Sequence, residues 1–386
     1  AIRRKYLHLP EEDGTADDWN PVMVICDECG RIASMKGEVI PNRVDYWNLE
    51  MDEISYTCSA CGHRGEGKID GLSLKLSWRV DWSAKWAVFR VSCEPAGKDH
   101  CVKDGAYDMG LEVCREIFGY PGPLRVSYEW LTLGEHAMKT HKGITFTPSE
   151  WLRVAPPEAL RHLILGADPM RHISFLPERV PDIVDGFDRL ERYYYGAEIP
   201  PSGEDPIQLR DLYELCLKGK PPASLPARLP YRFATTIVQL EEILGSAKVV
   251  EKSLEYAAHL REKSSLSVEE AADVRRRLYM AANWVRLYAP QQARFKVSAG
   301  VEEYRLNEAE REFVDSVAGM IERDLGEAEL QNKIFETARS LGLEPGKAFS
   351  VLYRILLGSE RGPRLAPLLL AMDRDWLVRR LRSAIR

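Results

Sequence analysis

Four cysteines in this sequence are spaced to hold one metal ion. Cys26-Asp-Glu-Cys29 and Cys58-Ser-Ala-Cys61 are two CxxC pairs. A two-residue spacer lets both thiolates of a turn reach one tetrahedral centre, and Gly30 and Gly62, directly after the pairs, relieve the backbone where it turns most tightly. Each pair follows a β-like run, VMVI or ISYT, which is the pattern of a zinc ribbon. A structural Zn²⁺ bound by Cys26, Cys29, Cys58 and Cys61 is therefore expected. The 28 residues between the pairs exceed the commonest spacer and leave room for an extra hairpin. His63 is a spare donor, but four thiolates already close the shell. Cys93, Cys101, Cys114 and Cys216 have no ligand spacing and read as small buried residues.

A second candidate lies at Gly97-Lys98-Asp99-His100, after the strand-like VFRVSC. A glycine admits a ligand close to the backbone, and a carboxylate two residues on can accept from ribose hydroxyls. That is the chemistry of the carboxyl edge of a nucleotide-binding sheet. Residues 74–108 as a whole, with tryptophans and charges alternating tightly, read as strand, loop, strand and turn.

These residues need a scaffold, and 386 residues, 45% hydrophobic and 29% charged, suffice for two to three domains with cores of their own. Short β-rich runs such as PVMVIC, EISYTC and KLSWRVDW fill the front third. The back half carries apolar residues at i, i+3, i+4 and i+7, as in VEEAADVRRRLYMAANWVRLYA, and is expected to be helical. The joint is expected at residues 196–206, where GAEIPPSGEDP breaks both helix and strand. No run of 18 apolar residues occurs and the start AIRRKYLHLPEEDG has no apolar core, so no membrane span or export signal is expected. With eight cysteines and no export signal, reduced thiols and a cytoplasmic location are the simplest expectation.

Net charge is −6, so nucleic acid would have to meet a local basic patch. Residues 361–386 carry seven arginines against Asp373 and Asp375, with apolar Trp376, Leu377, Leu381 and Ile385 at helical spacing. Among these arginines, Arg361 and Arg364 flank a Gly-Pro turn that would fix them at a surface edge.

The run WRVDWSAKW, then EPAGKDH, SYEW, MKTHKG and PSEWLRVAPPEALRHLIL, resembles class I lysyl-tRNA synthetases of the archaeal type in order and spacing. The likeness continues through VPDIVDGFDRLERYYYG, PYRFATTIVQL, AANWVRLYAP and GSERGPRLA, and so covers essentially the whole chain. The resemblance implies an α/β plus all-α protein: the second half of a Rossmann-like class I nucleotide-binding fold with a zinc-ribbon insertion, then a carboxyl-terminal helical anticodon-binding domain. The expected parts are a leading segment (1–20), the ribbon (21–70), the nucleotide-fold half (71–135), a signature loop with stem-contact helices (136–197) and the helical domain (198–386). The implied activity is lysine–tRNA ligation, with ATP and Mg²⁺, lysine and tRNA-Lys as partners. Gly97, Asp99, His100 and Met138 are implied at ATP, and Trp78, His100 and Tyr128 at lysine, with Glu129 a counter-charge for its ammonium. Arg361 and Arg364 are implied at tRNA.

Two departures from the family qualify this. Where class I synthetases carry KMSKS, commonly KMSxSKG in this family, the chain reads Ala137-Met138-Lys139-Thr140-His141-Lys142-Gly143. Positive charge is kept but displaced, leaving Lys142 and Lys139 to stabilise the charge developing on the phosphates. No HIGH-like motif occurs; His8-Leu9-Pro10 lacks the small residues that close approach to ATP needs. Three explanations stay open: the chain is part of a longer enzyme, the HIGH-bearing half is a separate chain, or adenylation has been abandoned in a tRNA-binding paralogue.

Overall fold

The computed structural model describes residues 2–7, 20–35, 38–138, 145–297, 305–323 and 325–385. At the front, β1 (Val22–Val24) and β7 (Leu74–Leu76) pair antiparallel and close the base of a small module. Inside it, β2 (Ala33–Met35) and β3 (Val39–Pro41) form one hairpin. Next to it β4 (Arg43–Asn48), β5 (Glu53–Thr57) and β6 (Arg64–Lys68) form an antiparallel meander. The long spacer between the cysteine pairs thus holds β2 to β5. Val24, Ile54 and Tyr56, with Cys26 and Cys58, are the module's buried core. Gly65 is glycine because the Tyr56 ring lies where a Cβ would point. So small a core leaves much of the stabilisation to whatever the thiols bind.

After β7 the chain turns into helix α2 (Trp78–Val88), strand β8 (Cys93–Gly97), helix α3 (Ala106–Phe118) and strand β9 (Leu124–Tyr128). The expected first strand of this region is therefore a helix in its second half. Trp78, Trp82 and Trp86 are spaced by four, which is a helical stripe, and the aromatic and β-branched content that suggested a strand serves packing instead. Trp82 and Trp86 are in ring contact at 4.6 Å, and Trp86 meets Tyr107 of α3 at 4.8 Å. A Cβ on Gly110 of α3 would lie 2.7 Å from the Trp86 ring, so only glycine lets the helices approach this closely. β8 and β9 run parallel with α3 as their crossover, Gly97 opposite Tyr128. Helix α1 (Ile2–Leu7) reaches α3 through Lys5 and Tyr6, both bonded to Glu112.

The remaining chain is mostly helical, with a three-stranded sheet of β10 (Leu131–Leu133), β11 (His136–Ala137) and β12 (Ile173–Phe175). Helices α4 (Pro148–Val154), α5 (Pro157–Leu165), α6 (Val180–Tyr194) and α7 (Pro206–Cys216) come first. Then follow α8 (Tyr231–Ile237), α9 (Glu241–Leu244), α10 (Ser246–His259) and α11 (Val268–Leu287). The last five are α12 (Glu308–Ile321), α13 (Glu327–Ser340), α14 (Pro345–Leu357), α15 (Leu365–Ala371) and α16 (Arg374–Ala384). Capping boxes start α4, α11 and α12, from Thr147, Ser267 and Asn307, each answered by a glutamate three residues on. One contiguous apolar core runs from Trp151 to Leu381.

Contacts divide the chain into two compact units, residues 1–130 with 169–172, and 131–168 with 173–386. The Gly-Pro stretch after α6 therefore breaks a helix without parting domains. Tyr194 on one side is in tilted ring contact at 4.5 Å with Tyr213 on the other, so α6 and α7 stay packed in one core. No helix among the described residues is long and apolar enough to cross a membrane.

Candidate active site and metal centre

The four cysteine sulfurs converge. All lie within 4.8 Å of one another, with Cys26 Sγ 3.8 Å from Cys61 Sγ and Cys29 Sγ 3.6 Å from Cys58 Sγ. A tetrahedron with metal–sulfur bonds of about 2.3 Å has edges of about 3.8 Å, so this donor set fits one ion. The turns are made as the spacing demanded. Gly30 N–H donates to Cys26 O and Gly62 N–H to Cys58 O, both glycines at positive φ. Burial raises the Cys58 thiol, but backbone N–H groups of Cys61 and Ala60, together with the neighbouring thiols, outweigh it and take the group down to about 6. The His63 backbone N–H lowers the Cys61 thiol, but burial and then the neighbouring Cys58, Cys29 and Cys26 thiols outweigh it and push the group up to about 12. Four sulfurs this close cannot all be anionic without a cation among them, and as a set they could hold one thiophilic metal ion.

His63 is not aimed at that centre. Its Nε2 lies 3.2 Å from Asp27 Oδ1, and Asp27 also accepts from the Tyr56 hydroxyl. Of the other cysteines, Cys114 and Cys216 are buried as expected, Cys101 is half-buried and Cys93 is exposed. Cys93 starts β8 at its outer end, where the parallel pair offers no cover.

The second cluster forms at the carboxyl ends of β8 and β9, as parallel strands require. Lys98 N–H donates to Tyr128 O at 2.9 Å and His100 N–H to Gly97 O at 3.0 Å, so the turn after β8 is tied across the strand pair. Asp99 is exposed, and a Cβ on Gly97 would come within 2.7 Å of its Oδ1. His100 lies in ring contact with Trp78 at 5.6 Å and Trp82 at 5.9 Å. Trp78 and Tyr128 are each about half exposed, at 48% and 46%, so neither is a core aromatic. Gly97, Asp99, His100, Trp78, Tyr128 and Glu129 therefore share one strand-end region of the first unit.

Glu129 is already engaged. Its Oε1 takes the Lys98 ammonium at 2.6 Å and its Oε2 accepts from Trp130 N–H, and the Lys98 bond holds the carboxyl below its usual range. As placed, it is the counter-charge of a lysine of the chain. Sequence reasoning also missed Trp82, whose Nε1 donates to Glu94 at 2.8 Å and which backs the His100 ring. Its four-residue spacing from Trp78 was the available signal.

Met138 is half-buried in the second unit; Lys139, His141, Lys142 and Gly143 lie outside the described residues. The carboxyl-terminal arginines separate into classes that sequence did not distinguish. Arg380 is buried and donates to Ile355 O at 3.0 Å, and Arg382 pairs with Glu322 at 3.0 Å. Arg361 and Arg364 are exposed on the turn between α14 and α15, Arg364 in a long 3.5 Å contact with Glu327. The expected single helix over this segment is two, α15 and α16.

Comparison with known proteins gives the family. The family described as class I tRNA synthetases (K) matches residues 2–215. The lysine–tRNA ligase of Methanosphaera stadtmanae is 32% identical over an alignment of 388 residues, gaps included, that takes in 98% of this chain and 71% of that protein. Those of Methanopyrus kandleri and Methanocaldococcus jannaschii are each 34% identical, over 96% and 94% of this chain and 69% of theirs. The chain belongs to the class I tRNA synthetases, of the lysyl, archaeal type. It is thus a ligase by family, and the mixed α/β front and helical back are the family's fold. A solved glutamate tRNA ligase from Elizabethkingia meningosepticum aligns at 14% identity over 83% of this synthetase chain and 64% of its own, with a TM-score of 0.26.

Proposed function

We propose that this chain binds ATP, lysine and tRNA-Lys in a lysine–tRNA ligase that activates lysine and transfers it to tRNA in the cytoplasm. The observation that carries this reading is the strand-end cluster around Gly97 and Tyr128, in a chain similar over its whole length to proteins named lysine–tRNA ligases. Adenylation is attack of the lysine carboxylate on the α-phosphate of Mg²⁺-bound ATP, with pyrophosphate leaving. Positioning and charge stabilisation do the work, and no protein nucleophile is needed. Gly97 and Asp99 would take the adenosine ribose, while Trp78, His100 and Tyr128 would flank the amino acid. Glu129 serves the lysine ammonium only by exchanging its bond to Lys98. The four-cysteine module would hold Zn²⁺ as a structural ion, and the helices of the second unit would hold the anticodon arm.

β8 and β9 are the only strands of their sheet among the described residues, and Leu124 on β9 is 70% exposed. Two parallel strands are too few for a stable sheet. We propose that a HIGH-bearing half, in the same polypeptide or a separate one, pairs with this edge and completes the ATP site.

In the completed enzyme, Lys142→Ala is expected to slow lysine-dependent pyrophosphate exchange by ~100-fold with little change in lysine affinity, because its charge acts on the transition state. Lys139→Ala should cost less. An enzyme with both halves present and no exchange activity would instead favour a tRNA-binding paralogue, in keeping with the altered signature. Replacing Arg361 and Arg364 by alanine should weaken tRNA binding and lower its salt slope by up to ~2, leaving lysine activation unchanged. Filter binding across a salt series reads this directly, and an unchanged slope would remove both residues from the interface.

A further inference from the structure

The carboxylate proposed for the lysine ammonium already carries one, from the chain itself. Lys98 Nζ lies 2.6 Å from Glu129 Oε1, and Lys98 has no other side-chain partner among the described residues. Its ε-ammonium is the same chemical group as the one at the end of free lysine. Whatever brings lysine to Glu129 must therefore displace Lys98.

The two partners of this bond are held unequally. Glu129 is fixed in place: its backbone N–H donates to Pro169 O at 2.8 Å, its Oε2 accepts from Trp130 N–H at 3.1 Å, and its side chain is only 16% exposed. Lys98 is fixed at its backbone alone, where the N–H donates to Tyr128 O at 2.9 Å and the carbonyl accepts from Cys101 N–H at 3.1 Å. Beyond that its stem is exposed, and a lysine stem rotates freely when its one bond is given up. The geometry is a movable arm on a rigid base, facing a rigid socket. When a second ammonium competes, the carboxylate stays and the arm leaves.

The displaced ammonium needs another anion. Lys98 stands between Gly97 and Asp99, the two residues proposed for the adenosine ribose, so a nucleotide held there brings its triphosphate to the same strand ends. A compact ammonium on a flexible stem suits a phosphate as a point charge.

We infer that Lys98 is a cation passed from Glu129 to the phosphates of ATP when lysine binds: the ε-ammonium of the substrate takes the carboxylate, and the released Lys98 turns to the nucleotide. This rests on the reading that the strand-end cluster binds lysine and ATP, and adds to it a coupling between the two. One ammonium leaves Glu129 as another arrives, so the carboxylate is never left half-buried without a partner. By linkage, lysine raises the affinity for ATP by the same factor as ATP raises that for lysine.

The test uses the enzyme with its HIGH-bearing half present, and lysinamide, which keeps the ε-ammonium of lysine but has no carboxylate to attack ATP. In calorimetry the wild type should bind ATP ~10-fold more tightly with lysinamide than without. Lys98→Met, at an exposed position where folding is not at risk, should abolish that coupling. The same variant should bind lysinamide alone up to ~5-fold more tightly, because no tethered ammonium competes for Glu129. It should nevertheless exchange pyrophosphate ~10-fold more slowly, because the phosphates lose a cation. A gain in binding with a loss in rate sets this role apart from a structural one, which would lower both. If the wild type exchanges pyrophosphate but binds ATP equally with and without lysinamide, or if Lys98→Met binds lysinamide no more tightly, Lys98 is not passed between the two ligands although the lysine and ATP reading stands. If the wild type neither binds lysinamide nor exchanges pyrophosphate, that reading falls and the coupling with it.

Discussion

Replacing Cys58 and Cys61 together by serine is expected to abolish metal binding and melt the module between β1 and β7. Metal analysis of the purified chain should fall from one Zn²⁺ to none. The expected size of the effect follows from the core: Val24, Ile54 and Tyr56 are its large buried side chains, with Cys26 and Cys58 completing it. Binding of a structural zinc is worth about 10–16 kcal/mol in small zinc modules, far more than that core can supply. Hydrogen exchange should show the amides of β4 to β6 losing protection, while those of α11 and α14 keep it. Cys216→Ser, a buried thiol in the helical unit outside the ligand set, is the control and should leave the metal content at one. A double variant that still carries zinc, or protection in β5 that is unchanged, would show that the module does not depend on this ion.

Arg277→Ala should destabilise the helical unit by about 3–5 kcal/mol. Arg277 on α11 is 1% exposed; both of its terminal nitrogens bond Asp188 of α6, at 2.6 and 2.7 Å, and its Nε reaches Asp273 at 3.1 Å. Arg228 adds bonds to Glu191 and Asp273, and Tyr213 donates to Glu191 at 2.8 Å. Burial alone would raise the Asp273 carboxyl, but Arg277, Arg228 and Arg276 outweigh it and hold it well below the usual carboxylate range. Removing one guanidinium leaves buried carboxylates short of a partner, and that uncompensated charge is the cost. Thermal melting should shift down by roughly 10 °C for a unit of this size. Arg277→Lys keeps the charge but loses the two-pronged contact and should fall between. Arg276→Ala, on the exposed side of the same helix, should cost no more than about 1 kcal/mol. A variant that melts within a degree or two of wild type would mean that the two carboxylates take up protons or water without loss.

α6 shows why this network escaped the sequence. Asp182, Asp185, Asp188 and Glu191 recur every three residues and form an acidic stripe, legible once a helix is assumed. Their partners Arg232, Arg277 and Arg228 lie 37 to 89 positions further on. Nothing in the local sequence says which of these charges is solvated and which is buried.

What the sequence determined by itself was whatever depends on spacing within a few residues. Two thiols and a glycine in one turn define half a metal site before any tertiary contact forms, and a 3.6-residue apolar period with a capping box defines a helix. The order of motifs along the chain likewise carried the family, because order and spacing are properties of the sequence alone. Only the tertiary structure decided which partner each charge has. It put Lys98 against Glu129, buried Arg380 under Ile355, left Arg364 beside a cavity and turned the tryptophan run into a helix face. The physical reason is that a charge's free energy is set by its solvation and its nearest counter-charge, and both are supplied by chain segments far away in sequence.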